Sequence, residues 1–188
     1  FAVYEAPRFE QNGVLCGPYL DNRIGCVTLL LMMEQLADKT LENDLYFVFT
    51  AQEEVGLRGA GAAAFAVEPD VAIAVDVTDT GDLPEMKTPM AVELGRGPAV
   101  KVMDRSVICT PAVVAALEQA ARDCGVSAQR EILLCGGTDT SVLQKARAGV
   151  QAGAVSIPTR YIHSPSELCA VSDVEDAAKL LAQYALQK

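Results

Sequence analysis

Apolar and polar positions fall along this chain in blocks whose period changes from helical to strand-like and back. From residue 22 to residue 37 apolar side chains recur at helical spacing and the run closes on the polar ADKT, which predicts a helix. Residues 45–50, LYFVFT, and 71–77, VAIAVDV, are apolar at nearly every position, the pattern of strands covered on both faces. Further strands are predicted at 14–19, 99–103, 129–134 and 151–157. Helices are predicted over the Ala-rich stretch 58–67, from Thr110 with Pro111 in the first position, briefly after Thr138, and over 172–186. Residues 78–98 read as a Gly- and Pro-containing loop long enough to suggest a functional role. This alternation predicts an α/β protein with an open, mostly parallel but mixed sheet and helices on both faces. No repeat, low-complexity stretch or linker interrupts it, so residues 1–188 are expected to form one domain.

Composition narrows the function classes. The chain has 188 residues, 51% of them hydrophobic, enough for a sizeable core and too apolar for disorder. Fifteen Lys and Arg stand against 25 Asp and Glu, a net charge of −10, and no basic run follows a phosphate backbone, which argues against nucleic acid as a partner. The longest apolar stretches fall well short of the roughly 20 residues that span a bilayer. Six cysteines, at 16, 26, 109, 124, 135 and 169, form no CxxC pair and mostly sit in apolar surroundings, which points to a reduced, cytoplasmic chain rather than a cysteine zinc site. The first residue is Phe1, and FAVYEAP reads as a strand already under way, so a fragment or processed chain is expected.

The candidate chemistry lies at the predicted strand ends. In open α/β sheets ligands bind at the carboxyl ends of strands. Asp21 follows the strand at 14–19, Glu53 and Glu54 follow LYFVFT, Asp76 closes VAIAV, and His163, the sole histidine, follows the strand ending in SIP. Each has an ordinary structural explanation, such as a helix cap for Asp21 or a solvated turn for the Glu pair. Together they describe a cation site. Carboxylates with a neutral imidazole suit zinc, cobalt or manganese, and one carboxylate can bridge two ions. The adjacent Glu pair then divides its labour, one carboxylate holding metal and the other accepting a proton from activated water.

LDNRIG at 20–25, TAQEEVGLRGA at 50–60, AVDVTDTGD at 74–82, GGTDTSVL at 136–143 and SIPTRYIHSP at 156–165 resemble, in order, the motifs of the glutamyl aminopeptidase family. This is a group of dinuclear metalloaminopeptidases, often tetrahedral assemblies and sometimes labelled endoglucanases. The resemblance implies a zinc-aminopeptidase-like fold and two divalent ions, zinc or cobalt, per full-length subunit. It implies that Asp21 bridges them, that Glu54 and His163 complete one site, that Asp76 belongs to the other, and that Glu53 is the general base. The Asp21–Asn22 peptide bond is then expected to be cis. Gly136, Gly137, Thr138, Asp139 and Arg160 are expected to line the substrate cleft, and peptides are the expected substrates.

The sequence departs from that family at its start. Relatives carry an HxD motif near their first residues, whose histidine holds the second metal, and an inserted β-barrel domain used for homo-oligomeric assembly. Here residues 1–13 resemble only the last piece of the insert, and no HxD motif is present. The chain is therefore expected to correspond to the C-terminal share of a catalytic domain, to hold at most one metal tightly and to have little activity alone. Two other readings stand beside the aminopeptidase. One is a non-catalytic fragment keeping one metal site; the other is a glycosidase, which needs two facing carboxylates that the adjacent Glu53 and Glu54 do not readily supply.

Overall fold

The computed structural model describes residues 4–84 and 89–187, so residues 85–88 of the expected 78–98 loop and the first three residues of the 1–13 segment lie outside it. The elements are β1 (Phe9–Gln11), β2 (Val14–Gly17), α1 (Leu20–Leu36), α2 (Arg58–Val67), β3 (Val71–Thr78), β4 (Ala99–Met103), α3 (Pro111–Asp123), β5 (Gln129–Ile132), α4 (Thr140–Gln144), β6 (Gln151–Arg160), β7 (Glu167–Ala170) and α5 (Val171–Ala185). Pro111 opens α3 as expected, its fixed φ suiting the first helical position.

The strands form one open mixed sheet in the order β1-β2-β7-β6-β4-β5, with β3 also paired to β6. Among the described residues β3–β6 and β4–β5 are parallel, and β1–β2, β2–β7, β6–β7 and β4–β6 are antiparallel. The sheet is thus more antiparallel than the hydrophobic pattern predicts: β1 and β7, which make three of the four antiparallel pairs, are too short to register in that pattern, and hydropathy carries no record of the direction in which β4 meets β6. Residues 161–166 are also too few for a parallel crossover, so β7 must turn back along β6. Asn12 and Gly13, with φ of 53° and 75°, make the two-residue turn between β1 and β2, the Asn-Gly pair such hairpins favour.

The expected strand at 45–50 is absent, and the described part of FAVYEAP, residues 4–7, forms none either. Residues 45–50 pair with no described strand, and Leu45, Tyr46, Val48 and Phe49 are 39%, 62%, 40% and 49% exposed. An apolar run records what a segment is able to bury, whereas a strand also needs a neighbouring backbone. Among the described residues β3 pairs only with β6, and of LYFVFT only Phe47 packs against the core. Helix α1 shows the same excess: Leu20, Ile24, Met32 and Leu36 face the core, yet Val27 and Leu30 remain exposed.

Helices α1, α3 and α5 pack together as one layer, and α2 packs with α4, which lies against β3 and β6, as a second. The core joins Ile24 and Met32 of α1, Val113 and Leu117 of α3, Val155 and Ile157 of β6 and Leu180 and Leu181 of α5. Ile157 is fully buried. Ile157→Val removes one methylene from this contact and is expected to cost about 0.5–1.5 kcal/mol, read from the midpoint of urea unfolding. A buried ionic cluster also braces the sheet. The Lys101 ammonium contacts Glu131 and lies 3.8 Å from Asp104, while Thr78 Oγ1 donates to Glu131 at 2.9 Å. It ties the end of β3, just beyond Asp76, to β4 and β5. Among the described residues no helix is long and apolar enough to cross a membrane.

Candidate metal centre

Strand directions bring the candidate ligands to one rim. β7 runs antiparallel to both β2 and β6, so β2 and β6 point the same way, and β3 is parallel to β6. The carboxyl ends of β2, β3 and β6 therefore share one rim, where Asp21, Asp76 and His163 emerge.

Each side chain is set by local structure. Asp21 sits in a non-helical first turn of α1, and its peptide bond to Asn22 is cis. The Asn22 amide donates to the Val75 carbonyl at 2.8 Å, and its oxygen accepts the Gly25 N–H at 3.1 Å, so α1 is pinned beside β3 next to Asp76. A Cβ on Gly25 would collide with that amide oxygen, which explains the glycine in LDNRIG. The Glu pair rides on a folded-back turn. Gly56 and Leu57 N–H donate to the Glu53 carbonyl at 3.0 and 2.9 Å, and Gly59 N–H donates to the Ala51 carbonyl at 3.0 Å. A Cβ at Gly59 would meet Ala51 backbone atoms at 2.6 Å, so this close return needs a residue without one. His163 lies in a turn after β6, with φ of 63°.

The outcome is a compact trio. His163 Nε2 is 3.1 Å from Asp21 Oδ2 and 3.3 Å from Glu54 Oε2, and one donor atom from each of Asp21, Glu54 and His163 lies within 4.8 Å of the others. Donors about 2.0–2.1 Å from a tetrahedral ion stand roughly 3.3 Å apart, so the two separations from His163 already suit such an ion. The Asp21 side chain is mostly buried, while His163 and Glu54 are open to solvent.

Asp76 and Glu53 flank the trio without joining it. Asp76 is buried and its Oδ1 accepts the Val77 N–H. Burial first, then the charges of Asp21, Glu53 and Asp139, raise its pKa well above the usual value. Burial together with Glu54 and Asp139 pushes Glu53 from 4.5 up to about 7. Burial and Glu54 push Asp21 from 3.8 up to about 6. Asp139, at the start of α4, accepts a 2.7 Å hydrogen bond from Thr50 Oγ1 and is itself raised by burial.

The other expected cleft residues are placed as follows. Gly136 has φ of 85°, and Gly137 approaches Ser106 so closely that a Cβ would lie 2.6 Å from its hydroxyl. Thr138 is buried, its hydroxyl 2.9 Å from that of Thr140. Arg160 is engaged by Asp82 through hydrogen bonds of 3.1 and 2.7 Å. Burial raises the Asp82 pKa, but the two Arg160 bonds and the Leu94 N–H outweigh it and hold the group at about 2.

Burial, and then crowding, of these carboxylates makes the metal-free fold pH-sensitive. Asp21 and Glu53 bind protons more tightly folded than unfolded, so their contribution is full below about pH 4 and is lost as pH rises through about 6 and 7. The melting temperature of chelator-treated protein is expected to fall as pH is raised across that window. In Glu53→Gln it should fall less over the same interval.

Two residues near the trio escape a reading of strand ends. Asn22 braces α1 on β3, and Glu167 of β7 accepts the backbone N–H groups of Asp21 at 3.1 Å and His163 at 3.0 Å. The signal for Glu167 is a carboxylate inside the apolar strand ELCA, where it is 2% exposed.

Known proteins resemble this chain in both sequence and fold. A candidate aminopeptidase of Acetivibrio thermocellus is 50% identical over 173 residues, which is 92% of this chain and 52% of the relative. An aminopeptidase from the archaeon Desulfurococcus kamchatkensis superposes with a TM-score of 0.94 at 35% identity, covering 99% of this chain and 53% of the other. The TET1 peptidase of Pyrococcus horikoshii, which can assemble into a tetrahedron or a large octahedral shell, gives a TM-score of 0.86 at 32% identity over 99% and 54% of the two chains. The chain thus spans about half the length of the relatives it matches. The family profile of M42 glutamyl aminopeptidases matches residues 2–180, and the chain belongs to that family.

Proposed function

We propose that this chain carries the Asp21, Glu54 and His163 site of a metal-dependent aminopeptidase that removes N-terminal residues from peptides. The observation that carries this reading is the approach of His163 Nε2 to within 3.1 and 3.3 Å of two carboxylates, a donor spacing suited to a divalent ion. The donor set of two carboxylates and one imidazole fits zinc or cobalt, and family membership implies divalent metals. A cation would also offset the burial and the Glu54 charge that raise Asp21.

Asp21, Glu54 and His163 would hold one ion, and Asp76 with a share of Asp21 would hold a second. An ion held there polarises a carbonyl and lowers the pKa of water. Glu53, beside Glu54 but outside the trio, accepts the proton released by the attacking water and passes it to the leaving amine. A carboxylate in that position can serve both halves of that transfer. Asp139 and the glycines before it border the cleft on the side of Thr50.

A second reading has its own support. His163 is the sole histidine, and Asp76 stands outside the trio, so a second ion would have carboxylates alone for ligands. Carboxylates without an imidazole hold borderline ions weakly. On this reading the chain binds one ion and turns over little, and assembly into shells is left to the family-length protein. A glycosidase would need its carboxylates on opposite sides of a sugar, and here Glu53 and Glu54 share one turn. Release of amino acids from peptide anilides with added zinc or cobalt, run beside a cellulose assay, separates the three. Anilide turnover supports the peptidase, metal uptake without turnover supports the one-ion reading, and cellulose turnover refutes both.

A further inference from the structure

We propose that Glu167 is a positioning residue that sets the distance between Asp21 and His163, an inference that rests on the metal reading above. Its two carboxylate oxygens have divided work. Oε2 accepts the Asp21 N–H at 3.1 Å and Oε1 accepts the His163 N–H at 3.0 Å. The two residues it joins come from distant parts of the chain, and their side chains meet at 3.1 Å. Both lie in irregular backbone, Asp21 at the non-helical entry to α1 and His163 at φ 63°, where no helix or strand ladder takes up the amide. Glu167 itself is enclosed: it is 2% exposed on β7, in register with Gly17 of β2. One buried group therefore fixes the backbone under two of the three donors.

A carboxylate is the side chain that can do this, since it offers two acceptors and no donor. Glutamine keeps the shape but turns an NH2 group toward one of the two amides. The fold contains its own control. Asp173, also buried, accepts Gly95 N–H at 2.7 Å and Gly97 N–H at 2.8 Å, the same two-amide clamp placed on a loop that carries none of the trio.

The test is a zinc titration of the chelator-washed chain against a competing chromophoric chelator at neutral pH, with melting followed by circular dichroism. Glu167→Gln is expected to stay folded and to lose about 10–100-fold in zinc affinity, the scale of substitutions behind metal ligands. Glu167→Asp, which keeps both oxygens but shortens their reach, is expected to lose less. Asp173→Asn should lower the melting temperature and leave zinc affinity unchanged. Should Glu167→Gln fail to fold, Glu167→Asp decides: weakened zinc binding upholds the inference and wild-type affinity overturns it. Wild-type affinity in Glu167→Gln, or an equal loss in Asp173→Asn, also overturns it while leaving the metal reading intact. A wild-type chain that binds no zinc refutes the metal reading and this inference with it.

Discussion

His163→Ala is expected to abolish tight zinc binding, lowering affinity by more than the roughly 100-fold reached by substitutions behind the ligands. The trio holds a single nitrogen donor, and without it Asp21 and Glu54 leave an ion with two carboxylates. Such sets favour hard ions and hold zinc weakly. The same counting sets the stoichiometry. Metal analysis of chelator-washed, reloaded wild-type chain is expected to give one tight zinc equivalent, because Asp76 lies outside the trio and brings no imidazole partner. Two tight equivalents, or full retention by His163→Ala, would show that the ligand set is drawn wrongly. The exposed position of His163 makes this a clean experiment, since removing a largely solvated ring should disturb the fold little.

Glu53→Gln is expected to lower peptide-anilide turnover of the family-length aminopeptidase by about 100-fold or more, with zinc content unchanged. The two glutamates share a turn yet differ in surroundings. Glu54 reaches His163, whereas Glu53 is half-buried, and that burial together with the charges of Glu54 and Asp139 pushes it to about 7. A carboxylate is able both to take a proton and to return it, and glutamine can do neither. Loss of zinc together with turnover would mean that Glu53 and Glu54 have exchanged roles.

Much of the candidate site was legible because its chemistry sits where the hydrophobic pattern breaks. Asp21, Glu54 and His163 each stand just past an apolar run, and the fold brings them into contact. Asp76 was legible as a strand-end acid, though not as a buried one held by the Val77 N–H. Glu167 and Asn22 were hidden for a common reason: their partners lie far off in the chain, Glu167 reaching Asp21 and Asn22 reaching Val75. Local periodicity carries no record of a hydrogen bond between distant segments.

The sequence alone determined the alternation of helices and strands, the helix start at Pro111 and the residue types available at each strand end. Those features follow from side-chain volume, φ preference and hydropathy, which act over a few residues. Tertiary structure decided which of them found partners. VAIAVDV became β3 because β6 lies beside it, while the similarly apolar LYFVFT stayed unpaired among the described residues and mostly exposed, Phe47 aside. Whether residues dispersed along the chain can make a cation site depends likewise on strand direction and on Glu167 beneath two of them. Pairing, direction and distance are properties of segments brought together, and they arise only when the chain closes on itself.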